Sequence, residues 1–132
     1  MLNLSTLKNT KITGSGCDPE GFPFLEFQNE SGEGFRAFIQ RDPEGNGAGF
    51  LFGLPVPGAQ GSQVAWQKAY YKGAEGVSID TVHDPVPDPM NFDDFPHLKG
   101  TIIEGGQKVE VLLEISCDEE GNSPGFLAIE KI

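Results

Sequence analysis

Residues 98–116 read LKGTIIEGGQKVEVLLEIS and carry the clearest structural signal in the sequence. Gly105-Gly106 fits the two-residue loop of a tight β-hairpin. After it, apolar and charged side chains mostly alternate, which is the period of a strand with one buried face. The alternating residues are Val109, Glu110, Val111, Leu112, Leu113 and Glu114. The stretch therefore predicts two antiparallel strands, 98–104 and 107–116.

A four-residue turn motif occurs three times in the rest of the chain. Its copies are Asp18-Pro-Glu-Gly21, Asp42-Pro-Glu-Gly45 and Asp118-Glu-Glu-Gly121. Asp at the first position, Pro at the second and Gly at the fourth are typical of a type I turn. The first and third copies also share a preceding cysteine. We interpret the motif as a turn sequence that several hairpins share, because a four-residue match is too short to establish a duplication.

Strands on both sides of these turns follow from the alternation of apolar residues. They are predicted at 11–16, 22–28, 35–40, 48–53, 77–82 and 126–132, and the first four form an antiparallel meander. Residues 62–72 fit a short helix between Ser62 and Gly73, with a strand as the alternative. The prediction is an all-β fold, or β with one short helix, whose antiparallel meander and hairpins form a small barrel or sandwich.

Composition narrows the class of protein further. A chain of 132 residues suits a single domain, 1–132, and 18 glycines with 10 prolines exclude long helices. The net charge of −11 repels phosphate backbones and anionic membranes, so nucleic acid and membrane are not expected as partners. The chain has no apolar stretch that could span a membrane and no signal-peptide pattern at its start. With only two cysteines, Cys17 and Cys117, we expect a cytoplasmic protein with reduced, buried thiols.

Motifs of known catalytic chemistry are absent, so no enzyme activity, cofactor or metal is predicted. Asp42, Glu44 and Asn46 follow the order of the first calcium ligands of an EF-hand loop, but Gly53 stands where the bidentate Glu belongs. The turn motif explains the same residues without an ion. His83 and His97 bracket an acidic loop, but their spacing is not one of a known metal site, and we expect both at the surface.

The Pro- and Asp-rich loop of residues 83–96 is the candidate binding surface, since long loops in small domains are often functional. Alternating Pro and Asp keep the backbone extended, and Phe92 and Phe95 stand among carboxylates as apolar anchors. The alternative is that both rings belong to the core. The predicted binding residues are Trp66, Tyr71, Asp84, Asp88, Phe92, Asp93, Asp94 and Phe95. They predict a non-catalytic protein–protein interaction domain whose partner has a basic or apolar groove.

Two other functions remain open on sequence alone. An OB-like barrel that binds single-stranded nucleic acid would use strand aromatics with Lys8, Lys11, Arg36 and Arg41, although the net charge argues against it. A small β-barrel that binds an apolar ligand would enclose a cavity lined by Phe and Leu. The strand 126–132, if it lies at a sheet edge, offers a route to a homodimer.

Overall fold

Eight antiparallel strands form one sheet in the computed structural model, which describes residues 2–55, 74–85 and 94–132. A 3-10 turn, Leu4–Leu7, precedes the first strand. The strands are β1 Lys11–Cys17, β2 Pro23–Gln28, β3 Gly34–Gln40, β4 Phe50–Pro55, β5 Ser78–His83, β6 His97–Glu104, β7 Gln107–Ser116 and β8 Phe126–Lys131. The predicted all-β, antiparallel class is confirmed. The predicted helix or strand at 62–72 lies outside the described residues.

The hairpin of β6 and β7 has the predicted form. In β6 and β7, Glu104 is paired with Gln107 across the two-residue loop. Gly105 and Gly106 have φ angles of 55° and 80°. Both values lie in the left-handed region that a type I′ turn requires and that glycine adopts readily because it has no Cβ.

The strand order is β4-β7-β6-β5-β1-β2-β3-β8. The predicted meander therefore holds for β1, β2 and β3 but is wrong for β4. After the isolated bridge of Gln40 to Ala48, the chain does not continue along β3. It crosses over, and β4 pairs with β7. The crossing is possible because Gly49, which has no side chain, lies directly against the backbone carbonyl of Gln40.

A pseudo-twofold axis relates the two halves of the sheet. It passes between β1 and β5, at the pair of Lys11 with Ser78. Hydrogen bonds on either side of the axis occur as matched pairs, and β1 and β5 carry equivalent register shifts after Ile12 and Ile79. In the first pair, the N–H of Ile12 donates to the Val77 carbonyl and the N–H of Ile79 donates to the Thr10 carbonyl. In the second pair, the N–H of Asn9 donates to the Ile79 carbonyl and the N–H of Gly76 donates to the Ile12 carbonyl. The eight described strands thus form two similar four-stranded units that exchange their last strands, since β4 pairs with β7 and β8 pairs with β3.

The loops that make this exchange, 41–49 and 117–125, have the same structure. In each, the Asp carboxylate accepts hydrogen bonds from the backbone and side chain of the Asn four residues later, Asn46 or Asn122. The sequences match beyond the turn: residues 42–51 and 118–127 are both D-x-E-G-N-x-x-G-F-L. The second and third turn motifs are therefore the equivalent pair, not the first and third.

One face of the sheet forms the core, to which both units contribute. Alternate residues of β2, β3, β7 and β8 are buried there, as the sequence pattern predicts. The largest fully buried side chains include Phe27, Ile39, Leu98, Leu113, Ile115 and Ile129. The sheet is open, with β4 and β8 as its terminal strands. The other face carries the half-buried and exposed side chains that form the candidate site.

The two exchange loops give the protein an acid-sensitive stability. The backbone N–H of Asn46 lowers the pKa of Asp42, and that of Asn122 lowers the pKa of Asp118 in the same way. A carboxyl whose pKa is lower in the folded state stabilises the fold above its unfolded pKa of about 3.9 and loses that contribution as the pH falls through the folded pKa.

We therefore expect the melting temperature of the wild type to fall more steeply below about pH 4 than that of an Asp42→Asn/Asp118→Asn variant. The asparagines keep an acceptor oxygen in each loop but do not titrate. Thermal unfolding followed by circular dichroism between about pH 5 and pH 2 measures the difference. Parallel curves for the two proteins would contradict the role given to these carboxylates.

Candidate functional site

The two units differ most in the loop that follows their first strand. After β1, residues 18–22 form a short turn, in which the Asp18 carboxylate accepts hydrogen bonds from the backbone N–H groups of Glu20 and Phe22. After β5, thirteen residues, 84–96, connect to β6, and the structure describes 84–85 and 94–96 of them. The pseudo-twofold axis makes these two connections equivalent. The second unit therefore differs from the first in the length of this connection.

In the first unit, the sheet surface beside the short turn is covered by an aromatic cluster. The Phe24 ring lies over Gly16, where an added Cβ would come within 2.6 Å of the ring. Phe38 packs edge-on against Phe24 with 5.7 Å between ring centroids, and the Arg36 guanidinium lies 4.5 Å from the centroid of Phe24. Arg36 also forms an ion pair with Glu26 at 3.1 Å. The aromatic and charged groups of this cluster therefore interact with one another.

In the second unit, two histidines occupy the positions of Gly16 and Phe24. His83 ends β5 and His97 begins β6, and the two are directly paired in the register. Their ring centroids are 4.7 Å apart with an angle of 32° between the planes. Glu114 on β7 is paired with His97 from the other side. The aromatic cluster of the first unit is thus replaced by a row of titratable side chains.

The histidine pair holds the C-terminal end of the long loop. Nε2 of His83 lies 2.5 Å from Oδ1 of Asp94, and Nδ1 of His97 lies 3.0 Å from the carbonyl oxygen of Phe95. A carbonyl only accepts, so His97 Nδ1 carries the hydrogen of that bond. The side chains of His83 and Asp94 are 42% and 41% exposed, which leaves their contact open to solvent. These contacts fix residues 94 and 95 to the end of the sheet.

Burial lowers the pKa of His97, and the neighbouring charges of His83 and Lys99 lower it further. The Phe95 carbonyl and the Glu114 carboxylate act in the opposite direction and favour the charged ring. The net result is a lowered pKa, so the folded protein favours the neutral form of His97.

Three of the eight predicted binding residues lie in the described part of the chain. Asp84 is exposed at the start of the loop, and Asp94 and Phe95 are half-buried at its end. The structure brings Asp94 and Phe95 together with the histidine pair. The other five, Trp66, Tyr71, Asp88, Phe92 and Asp93, lie outside the described residues.

The histidines bracket the loop in the sequence, but sequence analysis did not place them in the site. Their contact depends on the register of β5 with β6, and a spacing along the chain does not reveal that register. The usable signal was that each stands where a predicted strand meets the loop. In residues 2–55, 74–85 and 94–132 there is no group of three or more His, Cys, Asp or Glu that could hold a metal ion.

Other candidate residues have internal partners or a different exposure from the one predicted. Arg36, besides its contacts with Glu26 and Phe24, and Arg41, which donates to the Asn46 carbonyl at 2.9 Å, both interact within the protein. The prediction of two buried thiols is wrong, because Cys17 ends β1 in an exposed position and Cys117 is half-buried; both are free.

Comparison with protein family models, with curated proteins and with solved structures found no match. Among the described residues, no helix has the length and apolar character needed to cross a membrane. The candidate site is defined by the contacts of two neighbouring histidines with the C-terminal end of the long acidic loop.

Proposed function

We propose that the protein is a non-catalytic, acidic protein–protein interaction domain that binds its partner through the loop of residues 83–96. The observation that carries this proposal is the attachment of Asp94 and Phe95 to the histidine pair. It holds the end of a long loop in place exactly where the related unit has only a short turn. A held loop loses less conformational entropy on binding than a free one, which favours its use as a binding surface.

The charge of this region indicates the kind of partner. Between positions 73 and 98 the sequence has six acidic residues and no Lys or Arg. They are Glu75, Asp80, Asp84, Asp88, Asp93 and Asp94. Such a surface attracts a partner whose groove is lined by apolar side chains and rimmed by Lys or Arg, with Phe92 and Phe95 as anchors. Half-burial leaves part of the Phe95 side chain available for contact.

We also propose that the protein is cytoplasmic and forms a homodimer. Free cysteines agree with a cytoplasmic protein, since thiols stay reduced in that compartment. β8 is a terminal strand whose outer edge is met by a single bridge, from Leu2 to Ile129, among the described residues. A second copy pairing along this edge is the route by which we propose a homodimer forms.

Replacing both Phe92 and Phe95 with alanine is expected to abolish partner binding and to leave the melting temperature almost unchanged. Short random peptides displayed on phage and selected on the immobilised wild type supply the probe, and we expect the selected peptides to combine Lys or Arg with apolar residues. Their affinity for wild type and variant is then measured by calorimetry.

Phe22→Ala is the matched control, because Phe22 ends the equivalent loop of the first unit and is also half-buried. It is expected to keep the affinity of the wild type. Selected peptides that bind the Phe92→Ala/Phe95→Ala variant as tightly as the wild type would refute the proposal. A large fall in its melting temperature would show that the two rings belong to the core.

A further inference from the structure

Two neighbouring imidazole rings, tilted by 32° to one another, form the attachment point of the loop. With 4.7 Å between centroids, they are close enough for a charge on His83 to lower the pKa of His97. His83 comes from β5 and contacts the Asp94 carboxylate, while His97 comes from β6 and donates to the Phe95 carbonyl. Both residues that the rings hold belong to the same end of the loop.

The two rings have different charged neighbours. A proton on His83 lies beside the Asp94 carboxylate and forms an ion pair with it. A proton on His97 faces the Glu114 carboxylate of β7, but also Lys99 of its own strand and the partially buried surroundings of the ring. One proton on the pair is therefore compatible with all the contacts that hold the loop, whereas two protons place like charges on neighbouring rings.

We propose that the histidine pair is an acid-sensitive attachment: protonation of both rings drives them apart and releases Asp94 and Phe95 from the sheet. The release itself is a property of the fold. Its consequence, that partner binding weakens in acid, rests on the function proposed above, because it concerns the same loop.

The direction of the effect follows from the lowered pKa of His97. A histidine whose folded pKa lies below its ordinary value of about 6.5 is held neutral by the structure, so its protonation opposes the attached state. The attachment is complete above that ordinary value and is lost as the pH falls below it. The sensitivity is therefore expected below about pH 6.5.

Nuclear magnetic resonance tests the release without a partner. The chain has two histidines, so imidazole labelling gives two ring signals, one for each member of the pair. We expect the two signals to titrate in separate steps, and the backbone amide signals of Asp94, Phe95 and His97 to shift with the second step.

The matched variant is His83→Gln/His97→Gln, in which both side chains keep an N–H donor for Asp94 and Phe95 but do not titrate. Its amide signals at 94–97 are expected to stay constant from pH 8 to pH 5. Two wild-type rings that titrate together in one step, or amides at 94–97 that do not move in the wild type, would overturn the proposal. So would equal pH-dependent shifts in the variant, because they would arise from other groups.

Binding of a selected basic peptide, measured at pH 7.5 and pH 5, tests the consequence. The wild type is expected to bind at least about fivefold more weakly at the lower pH, and the double glutamine variant to bind equally at both. If no peptide binds through the loop at any pH, the proposed function fails while the amide titration still decides the release. If the amides show release but peptide affinity does not change with pH, the loop is released without controlling binding.

Discussion

Replacing Gly49 or Gly125 with alanine is expected to lower the free energy of unfolding by about 3 kcal/mol or more in each case. These glycines stand at the two points where the chain crosses from one unit to the other. At Gly125 an added Cβ would lie 2.5 Å from the carbonyl oxygen of Ser116 and 2.6 Å from its carbonyl carbon. At Gly49 it would meet the Gln40 carbonyl group in the same way. The obstacle is backbone in both loops, which cannot rotate away as a flexible side chain can.

Urea denaturation of the two single variants measures this effect. Gly34→Ala is the control: it also lies at a strand end, but its nearest neighbour would be Cδ1 of Ile132 at 3.5 Å, an ordinary contact. We expect its stability to stay within about 1 kcal/mol of the wild type. Unchanged stability in both crossing variants would contradict the crossing geometry. A large loss in one variant alone would contradict the equivalence of the two loops.

Replacing Phe27 with alanine is expected to lower the free energy of unfolding by about 3–5 kcal/mol. Phe27 is 1% exposed and stands on β2 between Ile12 of β1 and Phe35 of β3. Removing the ring loses its burial and leaves a cavity that three paired strands cannot easily collapse to fill. Urea denaturation again provides the measurement.

Phe24→Ala is the matched control for this prediction, because it removes the same side chain from the opposite face of the same strand. Phe24 is half-buried and contacts Phe38 and Arg36, so a smaller loss, below about 2 kcal/mol, is expected. Equal losses for the two variants would mean that the core does not lie on the Phe27 face of β2.

Local features of the fold could be predicted from the sequence because short-range chemistry determines them. The Gly105-Gly106 hairpin and the three Asp-to-Gly turns depend on residues at most four positions apart, and the structure contains all of them. The crossing of β4 to β7 could not be predicted in the same way. Alternation identifies a strand and its buried face but does not identify the strand that pairs with it.

The internal duplication was present in the sequence but needs a longer match than the turn motif. Residues 42–51 and 118–127 share seven of ten positions, whereas the four-residue motif also includes the unrelated copy at 18–21. Part of the candidate site was likewise predictable: the loop and its acids are evident in the sequence. The contact of His83 with His97 was not, because it depends on the register of two strands separated by the whole loop.

We propose that the loop of residues 83–96 binds a protein partner, and the two related units provide an internal control for this binding. Amide chemical-shift changes on adding a selected basic peptide to the labelled protein at pH 7.5 locate the binding surface. We expect changes at Asp84, Asp94, Phe95 and His97, with none in the equivalent turn at 18–22. Changes confined to that turn or to the aromatic cluster of Phe24 and Phe38 would contradict it.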